Sequence, residues 1–211
     1  MGRGAMVALL LVPAGFVVGL LLAPLAAPFT GGVPWTRRTA LGVVTAAVFG
    51  LAGWRVGAHA VLGALLYLAA VGALLAFIDV EVRRLPDRFT LPSYGAVAAL
   101  LAVAAPFTGG GWRHFEHALI GMAAMFALYA VQAFAVPSGI GLGDVKLSGV
   151  LGLCLGWFGA RAWVTGLLAT YLLGGVIAVG VLIVRRTRKG EFPFGPSMLV
   201  GTLVGVLAAA G

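Results

Sequence analysis

Long uncharged apolar stretches are the feature that most limits how this 211-residue chain can fold. A helix that crosses a lipid bilayer needs roughly 20 mainly apolar residues, and such stretches follow one another along almost the whole sequence. Only 9% of the residues are charged, against about a quarter in soluble domains, and the mean hydropathy is +1.10. The 33 glycines are typical of closely packed membrane helices. We therefore predict an all-α, polytopic transmembrane helical bundle.

Eight apolar segments account for most of the chain, and the connections between them are too short for a separate soluble domain. Residues 1–211 are therefore predicted to form one membrane-embedded domain. The second and sixth segments are short for a full span, which tilt, bilayer thinning or burial could accommodate. The first could be a signal peptide, but it exceeds the usual apolar core of about 7–15 residues, so a retained span is expected. The segments cover residues 5–27, 39–53, 59–78, 89–106, 117–136, 145–160, 163–184 and 194–210.

Basic residues are distributed unequally between the two ends of these segments. The N-terminus and the even-numbered connections hold four of them, which are Arg3, Arg55, Arg113 and Arg161. The positive-inside rule therefore predicts that the odd-numbered connections are cytoplasmic and that both termini lie outside. All the acidic residues except Glu116 fall on the same predicted cytoplasmic side. The ten basic residues on that side are Arg37, Arg38, Arg83, Arg84, Arg88, Lys146, Arg185, Arg186, Arg188 and Lys189.

Charge and cysteine content also argue against several functions. The net charge of +8 comes from residues that flank spans, with no basic surface interleaved with aromatics, so we predict no nucleic-acid binding. Cys154 is the only cysteine, which excludes an intrachain disulfide and a four-thiolate zinc site, and its apolar neighbours indicate a buried packing residue. His114, Glu116 and His117 match no strong zinc motif. No metal and no cofactor are predicted.

Two aspartates abut long apolar segments on the predicted cytoplasmic side. Asp79 closes the third segment and Asp144 opens the sixth. Neighbouring carboxyls push their pKa values apart, so one could stay ionised and deprotonate water while the other, protonated, polarises a peptide carbonyl. This is the chemistry of an aspartic peptidase. Either residue could instead be a simple flank paired with a basic residue, part of a proton relay in a small transporter, or a structural residue of a non-catalytic scaffold.

The residues around the two aspartates suggest accessory roles. Gly141 and Gly143 precede Asp144 and indicate a close backbone approach or a positive φ. The sixth helix is predicted to begin at Asp144 or just after, with its amides facing the carboxylate. Lys146 is either an electrostatic or substrate-binding partner or a snorkelling flank.

Acidic residues near Asp79 and the late prolines have simpler structural interpretations. Asp87 after Pro86 is expected to form an Asx turn or cap, and Glu81 is expected to pair with a neighbouring arginine. Pro193 and Pro196 are expected to start the eighth helix.

Three motifs, in order, resemble those of the type IV prepilin peptidases. Ile-Asp at 78–79, with Leu-Pro-Asp-Arg at 85–88 and Leu-Pro at 91–92, resembles the first active-site motif of that family. Gly-Leu-Gly-Asp-Val-Lys-Leu at 141–147 resembles its GxGD motif, and Pro-Phe-Gly-Pro at 193–196 resembles a late segment of the same family. The resemblance implies a GxGD-type aspartic peptidase whose catalytic pair is Asp79 and Asp144, with Pro86, Asp87, Gly141, Gly143 and Lys146 as accessory residues.

The same resemblance implies a prokaryotic cytoplasmic membrane enzyme that removes the short basic leader of prepilin-like proteins. Its partners would be a prepilin or pseudopilin substrate helix and membrane lipid. The best-known bacterial members carry, between their first two spans, a domain with paired Cys-x-x-Cys motifs that is linked to N-methylation. Here the corresponding residues 28–38 contain no cysteine, so neither N-methyltransferase activity nor zinc is expected. A small proton-coupled transporter is the alternative function.

Overall fold

The computed structural model describes residues 2–136, 140–185 and 193–210, and helix is the only regular secondary structure in these ranges. The predicted all-α polytopic bundle is confirmed. Short helical turns extend α1 through Thr30 and α4 through Phe107. Four charged residues of the predicted cytoplasmic side lie outside the described residues, namely Arg186, Arg188, Lys189 and Glu191. The long helices are α1 (Arg3–Leu22), α2 (Trp35–Val56), α3 (Leu62–Val82), α4 (Asp87–Ala104), α5 (Gly111–Ala135), α6 (Leu142–Trp157), α7 (Ala160–Arg185) and α8 (Gly195–Ala209).

Six of these helices are long and apolar enough to cross a membrane, which α6 and α8 are not by length. Helix α6 has only 16 residues, but every residue from Leu147 to Trp157 is buried among other helices, so this helix does not need the length of a span that faces lipid. The expectation that the second segment is short was wrong, since α2 has 22 residues. Arg37, Arg38 and Arg55 end the apolar stretch at each side, but the helix continues through them.

Glycines let three pairs of consecutive helices approach closely. In the α1–α2 pair, a Cβ atom built on Gly19 would lie 2.6 Å from the Cα of Gly42. In the α7–α8 pair, one built on Gly205 would lie 2.6 Å from the carbonyl oxygen of Ala162. In the α5–α6 pair, a Cβ on Gly152 would overlap the carbonyl oxygen of Gly121. Close approach at small residues is the usual basis of helix association in lipid, so these pairs form the frame of the bundle.

Substitution of Gly152 by alanine is expected to destabilise the protein by about 1–3 kcal/mol, the usual range for overpacking. The added methyl group would also lie 2.7 Å from the Cβ of Met125, and the buried α6 has no free direction in which to move. Thermal unfolding in detergent measures the effect. Gly180→Ala in α7 is the matched control, because it brings the same gain in helix propensity. A Cβ atom added at this position would have no neighbouring atom within 4 Å. Equal unfolding temperatures for the two variants would contradict the expectation.

Polar contacts bring the first, third and fifth connections and the start of α8 to one end of the bundle. Arg37 at the start of α2 pairs with Glu81 at the end of α3. Glu81 thus pairs with an arginine as predicted, but the partner lies 44 positions away and is not a sequence neighbour. Lys146 in α6 pairs with Asp87 at the start of α4. At the other end, Arg55 donates to the carbonyl oxygen of Leu207. The first, third and fifth connections thus meet on one face; the assignment of that face to the cytoplasm stays a prediction.

Candidate active site

Asp79 lies in the last turn of α3 and is only 5% exposed. Helix α3 ends at Val82, and the next residue, Arg83, adopts a left-handed conformation with φ 52° and donates its N–H to the Asp79 carbonyl oxygen at 2.8 Å. The Gly195 N–H donates to Oδ2 of Asp79 at 3.0 Å in a buried hydrogen bond. Gly195 is the first residue of α8. The Asp79 carboxylate therefore lies at a helix N-terminus, where free amides and the helix dipole favour a negative charge.

Asp144 lies in the first turn of α6, and its Oδ2 accepts a hydrogen bond from the Gly141 N–H at 3.3 Å. The predicted start of this helix was late by two residues, because α6 already begins at Leu142. The carboxylate folds back on the amide that precedes its own helix, as the acidic residue of a capping box does. The amide that bonds to the carboxylate thus belongs to Gly141, the residue before α6, whereas the sequence predicted amides of the helix itself.

The two glycines before Asp144 differ in what they contribute. Gly141 has an ordinary φ of −71°, so a positive φ is not the reason for glycine there. A Cβ atom on Gly143 would lie 3.0 Å from the Cβ of Leu85. Of the two sequence-based interpretations, the close backbone approach is the one that applies, and it packs the start of α6 against the connection between α3 and α4.

Asp79 and Asp144 line the same cavity, whose volume is about 640 Å³. The two carboxyls are close enough for their charges to interact. Of the predicted accessory residues, Pro86, Asp87, Gly141 and Gly143 line this cavity, whereas Lys146 does not. The remaining lining residues are Phe29, Arg83, Arg84, Leu85, Arg88 and Leu142. Residues from α3, from the following connection and from the start of α6 are thus brought to one concave site.

The Asp144 carboxyl lies outside the six helices long enough to cross a membrane. Burial raises its pKa to about 6, the charge of Asp79 adds to the increase, and the hydrogen bond from Gly141 opposes it. A carboxyl of this kind keeps its proton to a higher pH than a solvent-exposed one. Burial and the nearby Asp79 carboxyl therefore both favour the protonated form of Asp144.

In the described part of the chain, Lys146 forms no hydrogen bond with Asp79 or Asp144. Its Nζ lies 2.6 Å from Oδ2 of Asp87, so its electrostatic partner is the other acidic residue of the cavity. The expected Asx turn or cap at Asp87 was wrong, because α4 has no side-chain cap and the Asp87 carboxylate pairs with Lys146 instead. The exposed pair contributes little stability, but it joins the starts of α4 and α6.

Two features of the site were missed in the sequence analysis. Phe29, which follows α1, lines the cavity and packs edge-to-face on Phe89 with ring centroids 6.1 Å apart. No local pattern marks Phe29 as a cavity residue. The Gly195 amide was also missed as a partner of Asp79, although it lies in the Pro-Phe-Gly-Pro segment that carries part of the family resemblance.

The residues considered for metal binding lie apart from the cavity. His114 bonds through Nδ1 to the carbonyl oxygen of Trp157 at 2.8 Å, at the far end of α6. Within the described ranges, no group of three His, Cys, Asp or Glu side chains could hold a metal ion. Cys154 is buried and 3% exposed, which agrees with a packing role.

The helical bundle and its site define a class: a polytopic membrane protein with two carboxylates from different helices in one cavity. The sequence model of the type IV leader peptidase family matches residues 65–183, which include both Asp79 and Asp144. This chain therefore belongs to the type IV leader peptidase family.

Curated relatives extend the comparison beyond the family match. The chain is 33% identical over 152 residues to a prepilin leader peptidase/N-methyltransferase of Aeromonas salmonicida, covering 68% of this chain and 48% of the relative. It is 33% identical over 172 residues to a protein of the same name from Neisseria gonorrhoeae, covering 78% and 55%. For the Bacillus subtilis protein of that name the identity is 28% over 169 residues, covering 78% and 63%. The chain thus spans about half the length of these relatives. No solved structure matches it.

Proposed function

We propose that this protein is a membrane aspartic endopeptidase that removes the short basic leader of prepilin-like proteins. The observation that carries the proposal is the pair of carboxyls, Asp79 from α3 and Asp144 from α6, that line one cavity at one end of the bundle. Membership of the leader peptidase family and the names of the curated relatives support prepilin processing. The proposed substrates are prepilin or pseudopilin helices.

In the proposed mechanism Asp79 is the base and Asp144 the acid. Asp79 is assigned as the base because the Gly195 N–H donates a hydrogen bond that would stabilise the charge a base carries. Asp144 is assigned as the acid because burial raises its pKa. Asp79 takes a proton from water as the water oxygen bonds to the scissile carbonyl carbon, and Asp144 donates its proton to the carbonyl oxygen. When the intermediate collapses, the C–N bond breaks, the leaving nitrogen takes the proton from Asp79, and the hydroxyl proton returns to Asp144.

A transporter that uses the two aspartates as a proton pair is less consistent with their positions. Carboxylates of such transporters lie near the middle of the membrane in discontinuous helices. Asp79 is instead in the last turn of α3, and Asp144 in the first turn of α6. A site at helix ends is accessible to a peptide bond that lies just outside an apolar substrate helix, which could approach laterally through the lipid.

The proposal also covers the orientation of the protein in the membrane and the absence of N-methyltransferase activity. The cavity is assigned to the cytoplasmic side of a prokaryotic cytoplasmic membrane, because basic residues concentrate on the connections at that end, and both termini are assigned to the outside. The connection between α1 and α2 has no cysteine, so we propose that the chain lacks the N-methyltransferase activity that the relatives' names include.

The direct test incubates the purified full chain in liposomes with a prepilin-like substrate and a methyl donor. The substrate carries a basic leader that ends in glycine, followed by an apolar helix. Mass spectrometry is expected to show a shortened substrate that has lost the leader after the glycine and carries no added methyl group. An intact substrate in the presence of folded protein would contradict the peptidase proposal, and a methylated product would contradict only the second part.

The rate of leader removal is expected to fall as the pH rises through the pKa of Asp144. The acid must hold its proton to polarise the scissile carbonyl, and deprotonation near pH 6 removes it. Profiles of kcat/KM against pH report the free enzyme and measure this limb. A profile that stays flat from about pH 5 to about pH 8 would contradict the assignment of Asp144 as the acid while leaving the peptidase activity itself established.

A further inference from the structure

The residue before the Gly195 amide is held in an aromatic socket, which we define as Tyr129 of α5 together with Tyr171 and Gly174 of α7. The ring centroid of Phe194 lies 6.4 Å from that of Tyr129 and 6.3 Å from that of Tyr171. The two tyrosine rings stack on each other at 6.0 Å. Phe194 is therefore fixed by side chains from two other helices at the point where α8 begins.

The socket is closely fitted on the side of α7. A Cβ atom on Gly174 would lie only 2.5 Å from Cε2 of Phe194, so the ring fills the space that a side chain would take. A Cβ atom on the adjacent Gly175 would have no atom within 4 Å. The two neighbouring glycines thus differ sharply, and only Gly174 contacts the ring.

The tyrosine walls are themselves held in place. Tyr129 is 1% exposed, and the Tyr171 hydroxyl donates to Oε1 of Gln132 at 2.7 Å, which ties α7 to α5. Because the socket is formed by α5 and α7, the position of Phe194, and with it the start of α8, depends on these two helices.

We propose that Phe194 is a positioning residue that, seated in the aromatic socket, holds the Gly195 N–H on the Asp79 carboxylate. In this role Phe194 acts through the peptide group that follows it, which carries the Gly195 N–H. The inference rests on the proposed peptidase function. N–H···O hydrogen bonds have donor–acceptor distances of about 2.7–3.2 Å, so a shift of about 1 Å would break the bond from Gly195. A misplacement of that size near a reacting group can cost about 100-fold in rate. Loss of the socket should therefore act on the chemical step.

The test compares Gly174→Ala with Gly175→Ala in the full chain, using leader removal from the prepilin-like substrate. Gly174→Ala pushes on the Phe194 ring and is expected to lower kcat by roughly 10- to 100-fold with little change in KM. The acidic limb of its pH–rate profile is expected to move to higher pH, because the base loses a donor that favours its charged form. Gly175→Ala is expected to match the wild-type protein in kcat, KM and pH profile.

A second variant keeps the test decisive if Gly174→Ala does not fold. Phe194→Ala empties the socket without adding bulk and should show the same reduced kcat and the same displaced acidic limb. Thermal unfolding in detergent identifies which variants are folded. Folded Gly174→Ala or Phe194→Ala protein with a wild-type kcat and pH profile would overturn the positioning role. Failure of the wild-type protein to cleave would instead refute the proposed function, so the two failures are distinguishable.

Discussion

Replacement of either Asp79 or Asp144 by asparagine is expected to reduce leader removal by at least about 10²–10⁴-fold, the usual contribution of a general acid or base. Asparagine keeps the size of the side chain and can still accept the hydrogen bonds from Gly195 and Gly141. It cannot exchange a proton with water or with the scissile carbonyl. The double variant is expected to be no slower than either single variant, because residues that act as one unit have non-additive effects. Measurement of kcat/KM on the prepilin-like substrate checks both statements.

Glu116→Gln is the matched control for these substitutions. It makes the same change from carboxylate to amide in the second turn of α5, at the opposite end of the bundle. The Glu116→Gln protein is expected to cleave the substrate at the wild-type rate. Size-exclusion and thermal unfolding profiles show whether each variant is folded. Wild-type cleavage by a folded Asp79→Asn or Asp144→Asn protein would refute the proposed mechanism.

The second large effect is expected for Gly195→Ala. The added methyl group would lie 2.9 Å from Oδ2 and 3.4 Å from Cγ of Asp79, and 3.4 Å from Cδ2 of Leu85. Asp79 must then move away from α8 and from its place in the cavity, since α8 cannot withdraw without losing the N–H donor. We expect kcat to fall by on the order of 100-fold, as for a displacement of about 1 Å at a reacting group, with a smaller change in KM.

The control for this variant is Gly63→Ala near the start of α3, where an added Cβ atom has no atom within 4 Å. It lies on the same helix as Asp79, so it tests whether a methyl group in α3 is harmful in general. Gly63→Ala is expected to retain wild-type activity. If Gly195→Ala retained it too, the close fit between α8 and the Asp79 carboxylate would not matter for catalysis.

Hydropathy predicted the apolar segments well but their helical limits less well. The second segment was predicted as residues 39–53, whereas α2 runs over Trp35–Val56. Hydropathy detects the part of a helix that suits lipid, and α2 continues past that part through Arg37, Arg38 and Arg55, whose backbones bond helically like any other. The start of α6 was displaced for a different reason, because the Asp144 side chain caps its own helix from inside the first turn.

The chain by itself determined that this protein is a helical membrane bundle and that Asp79 and Asp144 lie at helix ends. Local hydropathy and charge suffice for both conclusions, because each depends on residues adjacent in sequence. Only the tertiary structure decided which groups contact the aspartates: Gly195 lies 116 positions from Asp79, and Lys146 pairs with Asp87 across 59 positions. Such contacts depend on how closely the helices pack. Gly143, Gly174 and Gly195 permit this close packing because glycine has no side chain.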